Sequence, residues 1–373
     1  MVNLSYHKSI KYCQYIKAVI FCIIFTFIPY EGTAKVTRST PSKPIVIAHR
    51  GASGYLPEHT LEAKALAYAM KPDYIEQDIV MTKDDHLVIL HDRYLDRVSN
   101  VAEKFPKRAR QDGRYYAIDF TLAEIKTLNL SEGFKIDKDG KKVISLPQRF
   151  PLNKSSFQIA TLEEEIELIQ GLNQTLKYNI GLYPEIKAPW FHQHEGKDIS
   201  LAVLKVLKKY GYRKKTDKIY LQCFDANELR RIYTQLMPHL EMDLKLIQLI
   251  AYTSWQETME LKNKKLHIYN YDWMFKPGAM RKISEYAVGI GPWMSMLIDR
   301  SSTAQKIIIS PLLHEAKQAG LQIHPYTFRT DPSRIPKYVR DFEHLLSIFY
   351  HQLEVDGFFT DYPDLVVNFI SRQ

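Results

Sequence analysis

Ile45-Val46-Ile47-Ala48-His49-Arg50-Gly51-Ala52-Ser53-Gly54 opens the part of the chain that decides the fold, and Tyr74-Ile75-Glu76-Gln77-Asp78 and Leu87-Val88-Ile89-Leu90-His91 complete it. The first run is apolar and rich in β-branched residues, and it stops at a histidine, an arginine and a glycine-rich turn, as a strand does where it meets a polar site. Thr60 then precedes a helical pattern over Leu61 to Ala69, and the second strand follows. Side chains on a strand alternate faces, so Glu76 and Asp78 project together. Strand, helix and strand in this order make a parallel crossover unit, with His49, Arg50, Glu76, Asp78 and His91 gathered at its strand ends.

The alternation continues to the end of the chain. Strands are predicted at Ile180 to Glu185, Ile219 to Cys223, Leu246 to Ile250, Tyr286 to Ile290, Gln322 to Tyr326 and Gly357 to Thr360. Helical patterns separate them, over Leu162 to Gln170, Ile199 to Lys209, Ala226 to Leu236, Pro277 to Glu285, Leu312 to Ala319 and Phe342 to His351. Eight strands with helical crossovers predict an α/β fold of the TIM (β/α)8 type. The interval between His91 and Thr161 is far longer than a barrel loop needs, so residues 92–160 read as an insertion after the second strand, on the upper face. Inside it, Thr121-Leu122-Ala123-Glu124 is a capping box, and Tyr115, Tyr116, Phe120 and Phe134 are candidates for a small core.

Residues 1–34 differ in kind from the rest. Lys8, Lys11 and Lys17 precede an apolar run from Ala18 to Pro29 that is short for a bilayer, and Gly32-Thr33-Ala34 offers small residues for cleavage. A secretory signal peptide is the expectation, with a retained anchor as the alternative, leaving residues 35–373 as the barrel domain. Cys22 follows Ile20 and Phe21 instead of small residues, which argues against lipid attachment. Cleavage would remove Cys13 and Cys22, leaving Cys223 without an internal disulfide partner. The chain is basic, with Lys+Arg 51 against Asp+Glu 42. Its basic clusters, such as Arg213-Lys214-Lys215, flank predicted elements without interleaved aromatics or a recognisable module, so no nucleic-acid partner is expected.

The strand ends of such a barrel share one mouth. Glu185 and Lys187, in Tyr183-Pro184-Glu185-Ile186-Lys187, repeat the two-residue spacing at the end of the third strand. Glu76, Asp78 and Glu185 with no convergent thiolate describe a site for a hard divalent cation, Ca²⁺ or Mg²⁺. For the Glu-x-Asp pair alone, a structural salt bridge is the competing reading. Three carboxylates and a divalent cation leave one negative charge, and Arg50 and Lys187 turn that into one positive charge, matched to a phosphodiester anion and its crowded transition state. His49 and His91 are the candidate general acid and base. His59, His192, His194, His267 and His324 lack comparable company and read as structural or peripheral, with His324, like Tyr326, also a candidate to line the pocket. Trp190, Gln222, Phe224 and Tyr326 are candidate substrate contacts.

These residues also carry a resemblance. His49-Arg50-Gly51-Ala52-Ser53-Gly54 with Pro57-Glu58-His59-Thr60, then Glu76-x-Asp78, His91-Asp92, Pro184-Glu185-Ile186-Lys187, Leu221-Gln222-Cys223-Phe224-Asp225 and Phe358-Phe359-Thr360-Asp361-Tyr362-Pro363, resembles the glycerophosphodiester phosphodiesterase family over nearly the whole mature chain. Length, insertion and leader are similar to the periplasmic bacterial type, whose members carry His where many relatives have Asn at the position of His59. The resemblance implies a TIM-barrel, usually calcium-dependent hydrolase that cleaves glycerophosphodiesters such as glycerophosphocholine and glycerophosphoethanolamine to sn-glycerol 3-phosphate and an alcohol. It implies His49 and His91 as the acid/base pair, Arg50 as phosphate ligand, Lys187 near the phosphate, and Glu76, Asp78 and Glu185 as metal ligands. Attack by a neighbouring glycerol hydroxyl through a cyclic phosphate and direct attack by water both remain open. The competing readings are a phospholipase C/D-like enzyme on intact or lyso-phospholipids and a non-catalytic envelope-binding protein.

Overall fold

The structure is a computed structural model that describes residues 43–262 and 265–373, so the leader expected over residues 1–34 lies outside the described residues. Eight parallel strands form the frame: β1 (Ile45–Ala48), β2 (Tyr74–Met81), β3 (Gly181–Ile186), β4 (Tyr220–Cys223), β5 (Lys245–Leu249), β6 (Gly289–Gly291), β7 (Gln322–Ile323) and β8 (Gly357–Thr360). Each pairs with its neighbour in sequence from β1 to β7, and β8 returns to β1 in register Ile45 to Gly357 through Ala48 to Thr360. Between β7 and β8 the ring is closed by backbone bonds, Asp356 N–H to Ile323 O at 2.9 Å and Phe359 N–H to Pro325 O at 3.2 Å. The fold is the (β/α)8 barrel that the alternation predicts.

Three strands depart from their expected bounds for local reasons. β6 starts at Gly289 and not at Tyr286, because the N–H groups of Tyr286 and Ala287 still bond back to Ile283 O at the end of the preceding helix. β2 runs on to Met81 because Leu87–Ile89 folds back antiparallel onto it, pairing Ile79 with Ile89 and Met81 with Leu87. β7 ends at Ile323, well short of Tyr326, because Pro325 has no N–H to offer a ladder. The helical patterns predicted over 226–236 and 342–351 are also not uniform, and both widen into π turns, at Ile232–Leu236 and Ile348–Gln352.

The barrel interior is layered. At the lower level Tyr74, Tyr183 and Tyr220 fill the lumen with Ile47, Ile247 and Phe359, the rings of Tyr183 and Tyr220 stacking at 5.0 Å. Tyr183 also shares a 2.8 Å hydrogen bond with buried His324, which makes His324 part of this plug. One pleat further along, the register places Asp78 beside Glu185 and Glu185 beside Gln222, so the layer above the tyrosines is polar. Outside, alternate residues of the same strands, such as Ile75 and Ile79, pack into the main apolar core with the helices.

Helix α1 (Leu61–Ala69) starts where the Thr60 side chain accepts from Ala63 N–H, and α2 (Leu162–Leu176) starts with a complete capping box from Thr161 and Glu164. The inserted segment carries its own core, in which Leu95, Tyr115, Phe120, Ile125 and Leu130 pack with Val80 and Val88 of the barrel. The Thr121–Glu124 capping box forms as expected. Tyr116 instead stacks on Phe191 at 5.3 Å, and Phe134 is buried outside that core. Cys223 is a free, buried thiol. Among the described residues, no helix is long and apolar enough to cross a membrane.

The turn after β1 is held tightly against α1. Gly51 sits at φ +87°, and a Cβ there would lie 2.8 Å from the backbone carbon and oxygen of Ala63. Gly51→Ala should therefore cost about 2 kcal/mol or more of unfolding free energy in urea, from left-handed strain and the clash together. A loss below about 0.5 kcal/mol, the range of an ordinary surface substitution, would contradict this packing.

Candidate active site

Above the tyrosine layer lies a cavity of about 670 Å³ lined by His49, Arg50, Glu76, Asp78, His91, Glu185, Lys187, Gln222, Phe224 and Tyr326 among others. All the catalytic and metal candidates from the sequence therefore meet in one place. Trp190 does not join them. It packs with Tyr116 and Phe191, lies under the Arg93 guanidinium, and donates its indole N–H to Glu257 O at 3.3 Å, supporting the wall from behind.

Glu76 and Asp78 are each about 1% exposed. Glu76 accepts the Arg50 backbone N–H at 2.6 Å, and burial together with the Asp78 charge pushes its carboxyl well above the usual range. Asp78 moves the other way: burial opposes its ionisation, but Lys187 and a hydrogen bond from His59 outweigh that and hold it well below. Its Oδ2 takes the His59 contact at 2.8 Å, while its Oδ1 is buried without a hydrogen-bond partner. Lys187 lies 2.7 Å from Glu185 and 3.6 Å from Asp78. Even so, burial pushes Glu185 up to about 8.

The donor atoms of His59, Glu76 and Asp78 lie within 4.8 Å of one another, so His59 stands where the sequence reading expected Glu185. The hydrogen bonds around His59 decide what it can do. Lys64 is fully buried and directs its ammonium at His59 Nδ1 (3.4 Å), Glu165 (3.1 Å) and the carbonyl of Glu76. An ammonium only donates, so Nδ1 must accept, and Nε2 carries the proton that it gives to Asp78. Burial and Lys64 press the ring down to about 3, keeping it neutral. His59 in this tautomer orients Asp78 and has no lone pair free for a metal ion. Glu185 lines the same cavity with its carboxyl group 2.7 Å from the Lys187 ammonium.

Arg50 and His59 both adopt left-handed backbone angles, φ 59° and 65°, and His59 N–H bonds Arg50 O at 3.0 Å. Such strain in non-glycine residues persists only where surrounding contacts hold it. Glu58 supplies one of them, accepting from Arg50 Nη1 at 2.6 Å. Burial disfavours the Glu58 charge, yet Arg50 and the two nearby histidines keep it at about 2. Arg50 is thereby fixed with its Nε aimed toward Asp78 at 3.4 Å.

Each candidate catalytic imidazole is backed by an aspartate. His49 Nδ1 lies 2.6 Å from Asp361 Oδ1, and His91 Nδ1 lies 2.9 Å from Asp92 Oδ1. Asp361 is held well below the carboxylate range: burial opposes ionisation, but Arg329, Arg149 and His49 outweigh it. An ionised carboxylate only accepts, so His49 must donate from Nδ1, leaving the Nε2 lone pair free. Burial and the Arg50 charge push His49 down to about 4, so it is neutral at physiological pH. Arg149, from the inserted segment, reaches Asp361 at 2.5 Å, Asp331 at 2.9 Å and the Ser53 carbonyl at 3.1 Å, while Arg329 approaches Asp361 to 2.7 Å. The insertion is thus tied to the support of His49. Sequence reasoning missed His59, Lys64, Asp361 and Arg149. Asp361 had a signal, because it closes a strand as His49 does. Arg149 had none.

Similarity to known proteins agrees with this geometry. The profile of the glycerophosphoryl diester phosphodiesterase family matches residues 49–365. A glycerophosphodiester phosphodiesterase from Haemophilus influenzae is 54% identical over 332 residues, covering 88% of this chain and 90% of that protein. One from Treponema pallidum is 43% identical over 341 residues, covering 91% and 95%. The structure of an Oleispira antarctica phosphodiesterase in complex with the product sn-glycerol-3-phosphate superimposes with a TM-score of 0.56 at 22% identity, covering 88% of this chain and 97% of that one, and so shares the fold. On the strength of the profile match and of two relatives aligned almost end to end, the chain belongs to the glycerophosphoryl diester phosphodiesterase family.

Proposed function

We propose that this chain hydrolyses glycerophosphodiesters to sn-glycerol 3-phosphate and an alcohol, with a hard divalent cation bound by Glu76, Asp78 and Glu185. The observation that carries the reading is one cavity holding a buried acid pair, a fixed Arg50 and two histidines each backed by an aspartate. The acids suit a cation because Asp78 Oδ1 is buried with no hydrogen bond, only the Lys187 ammonium 3.6 Å away, and Glu76 and Glu185 resist ionising without one. When bound, the ion would act as a Lewis acid toward a phosphoryl oxygen. An all-oxygen donor set favours calcium or magnesium over zinc.

The residues of the chain supply the rest. Arg50 and Lys187 bind the phosphodiester anion and stabilise the charge that builds on its oxygens as the bond to the alcohol breaks. His49, neutral with its lone pair on Nε2, takes the proton of the attacking hydroxyl. His91, half-exposed at the rim, gives a proton to the departing alcohol oxygen. The nucleophile is the glycerol hydroxyl beside the phosphorus, favoured over water by tethering; water then opens the resulting cyclic phosphate with the two histidines in exchanged roles, which yields sn-glycerol 3-phosphate. Export through the leader would place the enzyme in the periplasm, where deacylated phospholipids are its small-molecule substrates.

The direct test is glycerol 3-phosphate release from glycerophosphocholine. A chelator should abolish it, and His49→Ala should lower kcat by about 10³-fold. Rates unchanged by both treatments would contradict the reading. Asp361→Asn should lower kcat by about 10- to 100-fold with KM nearly constant, by releasing the His49 tautomer. Near-UV circular dichroism keeps that result distinct from unfolding, since Asp361 also offsets Arg149 and Arg329. Native-like dichroism with an unchanged kcat and pH profile would show that His49 needs no such support.

A further inference from the structure

The cavity has a second wall unlike the first. Across from Arg50 and the acids stand Trp255, Trp293 and Glu257, on the loops that follow β5 and β6. The two indoles meet at 5.7 Å between ring centroids and 65° between planes, and each remains 37% exposed. The edge of one ring meets the face of the other, and both keep part of their surface open on the cavity wall. Both are fixed from behind. Trp255 packs edge-on against Tyr252 at 5.3 Å, which stacks on Phe275, and Trp293 bridges to Tyr326 in parallel register. Tyr326 meets Phe224 at 6.1 Å, and the Lys187 ammonium lies 5.7 Å from the Phe224 ring centre. An aromatic surface therefore runs from the phosphate-binding lysine out to the rim.

Glu257 adds charge to that surface. The Trp190 indole N–H anchors its backbone carbonyl, and its carboxylate acts electrostatically on Glu185, Lys187 and Tyr326. Indole faces are the electron-rich side of the ring quadrupole, and a corner of two such faces beside a carboxylate attracts a cation while offering it few hydrogen bonds. A primary ammonium loses its hydrogen bonds to water in such a corner. A quaternary ammonium has none to lose.

We propose that Trp255, Trp293 and Glu257 form a head-group subsite that favours glycerophosphodiesters whose alcohol carries a quaternary ammonium, as choline does. The inference rests on the reading of the cavity as a glycerophosphodiester site: with the phosphate at Arg50 and Lys187, the alcohol extends along the aromatic wall. It concerns selectivity among diesters, so it does not alter the assignment of His49, His91 or the acids.

The test compares kcat/KM for sn-glycerophosphocholine with that for glycerophosphoglycerol, whose head group is uncharged. Trp255→Ala and Trp293→Ala should each lower the choline-to-glycerol ratio by about three- to five-fold, mainly through KM, and Glu257→Gln should lower it in the same direction. Trp255→Phe, which keeps a ring, should retain most of the preference. A ratio unchanged in both alanine variants overturns the subsite, whatever happens to the absolute rates. A second readout needs no turnover: tetramethylammonium should quench the native tryptophan fluorescence saturably, and the quench should weaken in both alanine variants. A native enzyme inactive on both diesters yet showing this quench would remove the proposed reaction and leave the cation subsite standing. Absence of a saturable quench would remove the subsite.

Discussion

Two carboxylates one strand pleat apart, both almost wholly removed from water, repel each other, and much of the upper barrel is arranged around that repulsion. Glu76 and Asp78 cannot turn away, because the period of the strand puts both on the inner face and the tyrosine layer closes the space below. Positive groups approach instead from three directions. Arg50 comes from the end of β1, Lys64 from the base of α1, and Lys187 from beyond β3. Asp78 ionises under these influences and Glu76 resists. A buried acid pair that its neighbours neutralise only in part, with one oxygen making no hydrogen bond, is costly as pure structure and economical as a cation site.

The same logic organises the histidines. An imidazole can serve as a base only if the correct nitrogen bears the proton, and in this protein aspartates fix that choice. Asp361 does so from the end of β8, held in turn by Arg149 and Arg329. His59 shows the opposite outcome from similar parts. With Lys64 on one nitrogen and Asp78 on the other, both ring positions are committed, and the residue becomes a brace for Asp78.

Much of this was legible in the sequence because the information is local. Apolar runs at barrel spacing gave the strands, and two-residue spacing put Glu76 with Asp78 and Glu185 with Lys187. The capping box at Thr121 marked a helix start within four residues. What escaped depends on distance along the chain. His49 and Asp361 are 312 residues apart and Arg149 and Asp361 are 212 apart, so neither pairing has a local signature. His59 looked isolated because Asp78 meets its ring only once β2 packs beside the turn that carries it. Trp190 sat at the right place in sequence, but the short helix Pro189–His194 turns it behind the wall.

The central claim is that the Glu76–Asp78 pair exists to hold a cation, and calorimetric titration of calcium into the metal-free protein tests it most directly. Glu76 and Glu185 are both raised in the absence of an ion, Glu185 to about 8, so below that pH binding must expel protons. The account predicts one site per chain at pH 7, a heat that varies with the ionisation enthalpy of the buffer, tighter binding as pH rises toward 8, and no binding by Asp78→Asn. A native protein that takes up neither calcium nor magnesium, or an Asp78→Asn protein that binds as well as the native one, would contradict it.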